Sequence, residues 1–263
     1  EAHTPWDWHE KIFKHAKELD LIPLSTPFDE SAVDFLETLD CEIYKISSLE
    51  NTDHALIKKV ASTGKPIILS TGMMSKDDIV ESVNVAKSSG CENIILLKCT
   101  SSYPAKASDA NLATLTDIIE ITNCHVGLSD HTKGIGVAIA SVTFGARIIE
   151  KHFTLSRADG GVDSDFSIEP HELKLLVEET ERAFNSVGKV SYESPNAEDD
   201  SRKYRRSLYV VEDVKSGEKV SKKNVRAIRP GLGLSPKYLD DVIDKKFNNS
   251  FKRGSALEWS MLE

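Results

Sequence analysis

The stretch Asn93-Ile94-Ile95-Leu96-Leu97-Lys98-Cys99-Thr100-Ser101-Ser102-Tyr103 decides the fold class. It begins as an unbroken apolar run and then turns polar at once. A strand with one face in water alternates apolar and polar residues. A continuous run marks a strand covered on both faces, as in a parallel sheet wrapped by helices. Parallel sheets of this kind gather their chemistry just beyond the carboxyl ends of the strands, which is where 98–103 would lie.

Working outward, the same pattern recurs at 21–24, 43–46, 66–69, 125–128 and 146–149. The starts are roughly 20–30 residues apart, the length of one strand–helix unit. Helical periodicity fills the intervals at 31–39, 53–62, 76–89, 112–121, 135–144 and 172–186. Polar clusters follow each run: Ser25-Thr26-Pro27-Phe28, Ser47-Ser48, Ser70-Thr71-Gly72-Met73, Ser129-Asp130-His131-Thr132 and Glu150-Lys151-His152-Phe153-Thr154. No GxGxxG opens a helix, which disfavours a doubly wound dinucleotide fold. The expected architecture is an α/β (β/α)8 TIM barrel of which six of the eight βα units are present. The chain does not begin with Met, so two further units are expected ahead of residue 1. Trp6, Trp8 and His9 read as a helix start and its packing.

Beyond Gly188 the pattern changes. Residues 189–206 are polar and aperiodic and read as a linker. From 207 to 263, short β-like runs at 208–211 and 225–228 alternate with turn signals such as Pro230-Gly231-Leu232-Gly233, predicting a small β-rich domain. The expected domains are therefore 1–188, a linker at 189–206, and 207–263.

Of the 263 residues 40% are hydrophobic, enough for a substantial core, and the net charge of −9 excludes a general nucleic-acid binder. The charge is uneven: residues 1–188 carry −13 and residues 189–263 carry +4. A basic tail on an acidic body could fold over an anionic ligand or simply present a solvated face. The four cysteines form no CxxC pair, which argues against a zinc knuckle and fits a reducing cytoplasm. No apolar run is long enough to span a membrane, and the start has neither the basic nor the apolar region of a signal peptide.

His131 and His152 are the sharpest candidates. Each follows a predicted strand, and the two strands are consecutive, so both imidazoles could face one barrel mouth and hold a divalent ion. A structural histidine bonded to backbone is the plainer reading of either one. Lys45 and Lys98 also end apolar runs. There a lysine can bind phosphate or carboxylate, form a Schiff base, or reach past the strand end to water. Thr26, Ser48, Ser70, Ser101 and Ser129 would ring the mouth with hydroxyls suited to a phosphorylated substrate. Any one of them alone reads as a helix cap. Gly160-Gly161-Val162-Asp163-Ser164-Asp165 forms an acidic loop that could take a sugar hydroxyl or be plain surface.

At Ser129-Asp130-His131-Thr132 and Glu150-Lys151-His152-Phe153-Thr154-Leu155, with Ser25-Thr26-Pro27-Phe28, Tyr44-Lys45-Ile46, Ser70-Thr71-Gly72-Met73 and Lys98-Cys99-Thr100, the chain resembles the sialic acid synthase family. Gly217-Glu218 and Arg229-Pro230-Gly231 resemble its antifreeze-like (SAF, β-clip) domain. Thr4-Pro5-Trp6-Asp7-Trp8, Thr154-Leu155-Ser156-Arg157, Phe166-Ser167-Ile168-Glu169-Pro170 and Arg205-Arg206-Ser207-Leu208 fit the pseudaminic branch best, with the legionaminic branch the nearer competitor and the N-acetylneuraminic branch further off.

The resemblance implies the following roles. His131 and His152 would hold a divalent metal (Mn2+, Mg2+ or Co2+). Thr26, Lys45, Ser48, Ser70 and Ser129 would hold phosphoenolpyruvate, with Ser101 where other members often place Asn. Tyr103 matches an active-site tyrosine, Asp163 an acidic residue contacting the sugar, and Arg229 a residue reaching into the partner subunit's site within a domain-swapped homodimer. The partners implied are phosphoenolpyruvate and an N-acetylated amino-sugar aldehyde. The ion would polarise the aldehyde, C3 of phosphoenolpyruvate would attack it, water would add at C2, and phosphate would leave by C–O cleavage. The family also places a catalytic glutamate and a lysine on two earlier strands, so this chain alone is expected to be inactive or poorly folded. Two further readings stay open: a Schiff-base aldolase using Lys45 or Lys98, and a non-catalytic carbohydrate-binding protein.

Overall fold

The computed structural model describes residues 4–263; residues 1–3, which open the first expected domain, lie outside the described residues. The chain divides into two compact units, Glu1–Gly188 and Lys189–Glu263.

In the first unit, helices α1 (Trp6–Glu18) and α2 (Glu30–Glu37) lead into a regular alternation. It runs β1 (Tyr44–Ile46), α3 (His54–Ala61), β2 (Ile67–Ser70), α4 (Lys76–Ser88), β3 (Ile94–Cys99), α5 (Thr114–Thr122), β4 (His125–Asp130), α6 (Gly136–Thr143), β5 (Ala146–Lys151) and α7 (Pro170–Val187). Local chemistry sets the helix starts. Asp29 accepts the Ala32 N–H at 2.8 Å, Asp53 caps α3, Ser75 and Asp78 bond reciprocally at the start of α4, and Pro170 opens α7 where no donor is needed.

The five strands pair in chain order, all parallel. One face, carrying Tyr44, Ile46, Ile67, Leu69 and Leu96, packs on Leu56, Ile57 and Val60 of α3, Ile79 and Val83 of α4, and Leu115 and Ile118 of α5. The opposite face turns inward, and two observations reveal how strongly the sheet curls. A flat sheet would hold β1 and β5 about 19 Å apart at about 4.8 Å per strand. Yet Lys45 Nζ of β1 lies 3.1 Å from Glu150 Oε2 of β5. Two extended side chains reach roughly 10 Å between them, so the sheet closes toward a cylinder. The ladder between β4 and β5 also slips at Val126/Gly127, where a Cβ on Gly127 would strike the Ile148 carbonyl. Only glycine permits that close approach.

The expectation of six strands is corrected to five. Residues 21–24 take no regular secondary structure, among the described residues no ladder forms on them, and Leu21 and Ile22 are 60% and 65% exposed. A continuous apolar run becomes a buried strand only where a neighbouring strand and helices cover it, and here neither does.

The second unit holds an antiparallel pair, β6 (Ser207–Val210) and β7 (Val225–Ile228), in the register Ser207↔Ile228 to Val210↔Val225. Its separate core contains Leu208, Val210, Val225, Val242, Phe247 and Leu257. The segment expected to lack helix contains one short turn of it, Asp199–Arg202. Among the described residues, no helix is long and apolar enough to cross a membrane.

Candidate active site at the strand ends

Side chains alternate along a strand, so register fixes who faces the mouth. Cys99, Ser129 and Glu150 stand opposite one another on β3, β4 and β5 and share the inward face. His131 and His152 each follow two residues beyond Ser129 and Glu150 and continue that row. Their ring centroids lie 5.1 Å apart at 70°. Tyr103 packs 4.4 Å from His131, and Phe166 lies 5.0 Å from His152, walling the pair with aromatic rings.

A hydrogen bond orients the His131 imidazole, and a longer charge contact flanks that of His152. His131 Nδ1 lies 3.0 Å from the Thr100 carbonyl, which fixes that nitrogen as the N–H and turns Nε2 outward as the lone-pair nitrogen. His152 Nδ1 lies 3.6 Å from Asp163 Oδ2. Asp163 adopts φ 62° in the loop before α7, where its carbonyl accepts the Ser167 hydroxyl at 2.8 Å. The two histidines shift in opposite senses. Burial pushes His131 down, but Cys99, the Thr100 carbonyl and the charge of Glu150 outweigh it, and the net shift is upward. Burial and the charge of His131 lower His152. Burial also pushes the Cys99 thiol up, yet hydrogen bonds with His131, Ser48 and Ser101 prevail and bring it down to about 7.

The other half of the mouth is polar. Glu150 accepts the Ser129 hydroxyl at 2.7 Å and pairs with the buried Lys45. Gly72 N–H donates to Ser48 Oγ at 3.2 Å, and a Cβ on Gly72 would run into the hydroxyls of both Ser48 and Ser101, so those two side chains converge. Asn51 anchors the turn by donating to the carbonyls of Ser70 and Gly72 at 3.0 and 2.9 Å. Ser70 Oγ is buried and has no hydrogen-bond partner among the described residues. Such an orphan is costly unless a ligand satisfies it.

The structure thus gathers Lys45, Ser48, Ser101, Tyr103, Ser129, His131, His152 and Asp163 into one connected site, with Ser70 at the end of β2 beside it. Thr26 is not joined to them. It lines a separate cavity of about 250 Å³ with His9, Ser25 and Phe28. Arg229 is exposed on the second unit. Lys98 lies on the opposite side of β3 from Cys99, donates to Thr100 Oγ1 at 2.9 Å, and is pushed down by burial; the reading of Lys98 as a mouth lysine is corrected by strand alternation. Asp130 does not touch His131 through its side chain; it pairs with Lys151. Glu150, Cys99 and Phe166 escaped sequence reasoning. For Glu150 the signal was present: a residue two before a mouth-facing histidine on a strand shares its face.

A curled parallel sheet with paired imidazoles, a buried lysine and clustered hydroxyls at its carboxyl ends defines an enzyme of TIM-barrel-like architecture. Residues 1–192 match the NeuB family and residues 205–263 the SAF domain. The chain is similar to pseudaminic acid synthase of Helicobacter pylori, 37% identical over all of this chain and 77% of the relative. It is also similar to N,N'-diacetyllegionaminic acid synthase of Campylobacter jejuni, 37% identical over 95% of this chain and 75% of the relative. Among solved structures it resembles the N-acetylneuraminic acid synthetase of Leptospira borgpetersenii in complex with citrate, with a TM-score of 0.72 and 34% identity over 76% of this chain and 70% of that one. The chain belongs to the NeuB family of synthases and carries a SAF domain.

Proposed function

We propose that this protein is a pseudaminic acid synthase, condensing phosphoenolpyruvate with 2,4-diacetamido-2,4,6-trideoxy-L-altrose and water to give pseudaminic acid and phosphate. The observation that carries the reading is the His131–His152 pair, 5.1 Å apart, beside the buried Lys45–Glu150 pair. Overall identity does not separate the pseudaminic from the legionaminic relatives. The branch rests on the motifs around residues 4–8, 154–157, 166–170 and 205–208.

The donor set fits a divalent ion such as Mn2+, Mg2+ or Co2+. An ion about 2.1 Å from a ring nitrogen sits roughly 3.2 Å from that ring's centroid, so two rings sharing one ion lie within about 6.5 Å; these meet that limit. His131 and His152 would hold the ion, which when bound polarises the sugar aldehyde. Lys45, Ser48 and Ser70 bind the anionic oxygens of phosphoenolpyruvate, and the unpartnered Ser70 hydroxyl gains the partner it lacks. Glu150, between Ser129 Oγ and Lys45 Nζ, accepts a proton from the water that adds at C2. Tyr103 and Phe166 exclude water on the sugar side, and Asp163 takes a sugar hydroxyl. Holding the two reacting carbons together supplies the positioning term. Arg229, exposed on the second unit, completes the partner subunit's site in a domain-swapped homodimer. The four free thiols fit residence in a reducing cytoplasm.

The test is phosphate release by the full-length enzyme with candidate amino sugars and mass spectrometry of the product. Pseudaminic acid formed, with loss of turnover on chelation, is the expected result. A legionaminic or neuraminic product would move the enzyme to another branch. A borohydride-trapped adduct on Lys45 would replace the mechanism with Schiff-base chemistry.

A further inference from the structure

Behind the two histidines lies a second polar rung that the proposed chemistry does not use. Asp130 and Lys151 stand opposite each other in the β4–β5 ladder, on the face away from the mouth. Their side chains are 2% and 3% exposed. Asp130 Oδ1 accepts both the backbone N–H and the hydroxyl of Thr132, at 2.9 and 2.8 Å. Asp130 Oδ2 accepts Lys151 Nζ at 2.8 Å, and the same ammonium donates to the Thr132 carbonyl at 2.7 Å. Two charged side chains thereby close a ring of bonds around Thr132. That ring spans the residues flanking His131 and ends at the residue before His152.

A buried ion pair is a poor device for stability alone. Its desolvation cost rivals its attraction, and an apolar pair of similar volume often serves as well. What this pair does that an apolar one would not is fix the backbone on both sides of His131 and tie it to the strand that carries His152. On the mouth side the polar contacts are Thr100 and Cys99 for His131 and the looser Asp163 for His152.

We propose that Asp130 and Lys151 are positioning residues that set the separation and direction of the His131 and His152 imidazoles, and so the affinity of the site for a divalent cation. This rests on the metal reading above. The test measures Mn2+ binding to the full chain by titration calorimetry, together with thermal melting and the side-chain NMR resonances of both histidines in metal-free protein. The variants are Asp130→Asn, Lys151→Met and the double substitution, with His131→Ala/His152→Ala as the control that removes the ligands.

Each single variant leaves one buried charge unpaired and is expected to lose stability. The double variant is expected to regain most of that loss. If the pair positions the histidines, the double variant melts near wild type yet binds Mn2+ about 10–100-fold more weakly, with both imidazole resonances displaced. A double variant with wild-type affinity and unmoved resonances overturns the proposal. Should the wild-type chain take up no Mn2+, the metal reading fails on its own. The metal-free resonances then decide for positioning if they move in the double variant and against it if they do not.

Discussion

Replacing Gly72 with alanine tests whether the hydroxyls of Ser48 and Ser101 really meet over the turn after β2. The added Cβ would collide with Ser101 Oγ and come to 2.6 Å from Ser48 Oγ and 2.9 Å from Ser48 Cβ. A hydroxyl can rotate away, but Ser48 Cβ is fixed to the backbone, and carbon atoms prefer separations of about 3.5–4.0 Å. The segment after β1 must therefore shift by several tenths of an ångström or more. Overpacking of this kind costs about 1–3 kcal/mol. Loss of the Gly72 N–H bond to Ser48 Oγ adds about 1 kcal/mol. A total of about 2–4 kcal/mol in a unit of this size lowers its melting temperature by on the order of 10 °C. Differential scanning calorimetry reads the effect, and Gly136→Ala is the matched control, because a Cβ there meets nothing within 4 Å. A Gly72→Ala protein melting within a degree of wild type would refute the convergence of the two serines.

Other consequences are measurable. Cys99, brought down to about 7, should be alkylated by iodoacetamide ahead of Cys41 and Cys91 near neutral pH, since burial pushes those two up; peptide mass mapping locates the adduct, and His131→Ala should move the midpoint of the rate profile toward the ordinary thiol value. Mn2+ affinity should fall as pH drops through the histidine range, because binding needs neutral rings. His131 is the raised member and protonates first, so calorimetry should show about a tenfold loss per pH unit below its midpoint. Glu150→Ala leaves the buried Lys45 ammonium unpaired. With Glu150 itself 41% exposed, solvent offsets much of the cost, and urea denaturation should show a loss of about 1–2 kcal/mol. Gly127→Ala drives a Cβ into the Ile148 backbone and should cost more than Gly72→Ala, since no side-chain rotation relieves it.

The strands were legible wherever a neighbour covers both faces. The runs at 43–46, 66–69, 93–97, 125–128 and 146–149 fold as read, shifted by a residue or two. The run at 21–24 has the same composition and fails, because composition reports the wish for burial while the ladder depends on what lies alongside. The helices survived better, being recognised by their own period; the caps Asp29, Asp53 and Ser75 are seen only in the structure.

Within the site, legibility followed strand alternation. His131 and His152 could be placed because a residue just beyond a strand end has few directions to take, and Ser129 and Lys45 because they lie within the last residues of β4 and β1. For Lys98 the sequence leaves mouth-facing and outward readings open, and strand alternation decides against the mouth. Its neighbour Cys99 takes that side, which sends the ammonium to the helix side of the sheet. The same rule, applied two residues back from each histidine, points to Ser129 and Glu150 on the inward face and leaves Asp130 and Lys151 on the outward one. No composition rule says that the outward pair should be charged. Buried charges at a ladder position normally read as error or function, and here each immediately precedes one of the two residues on which the proposed chemistry depends. The charge pattern of the outward face thus carries information about the inward one.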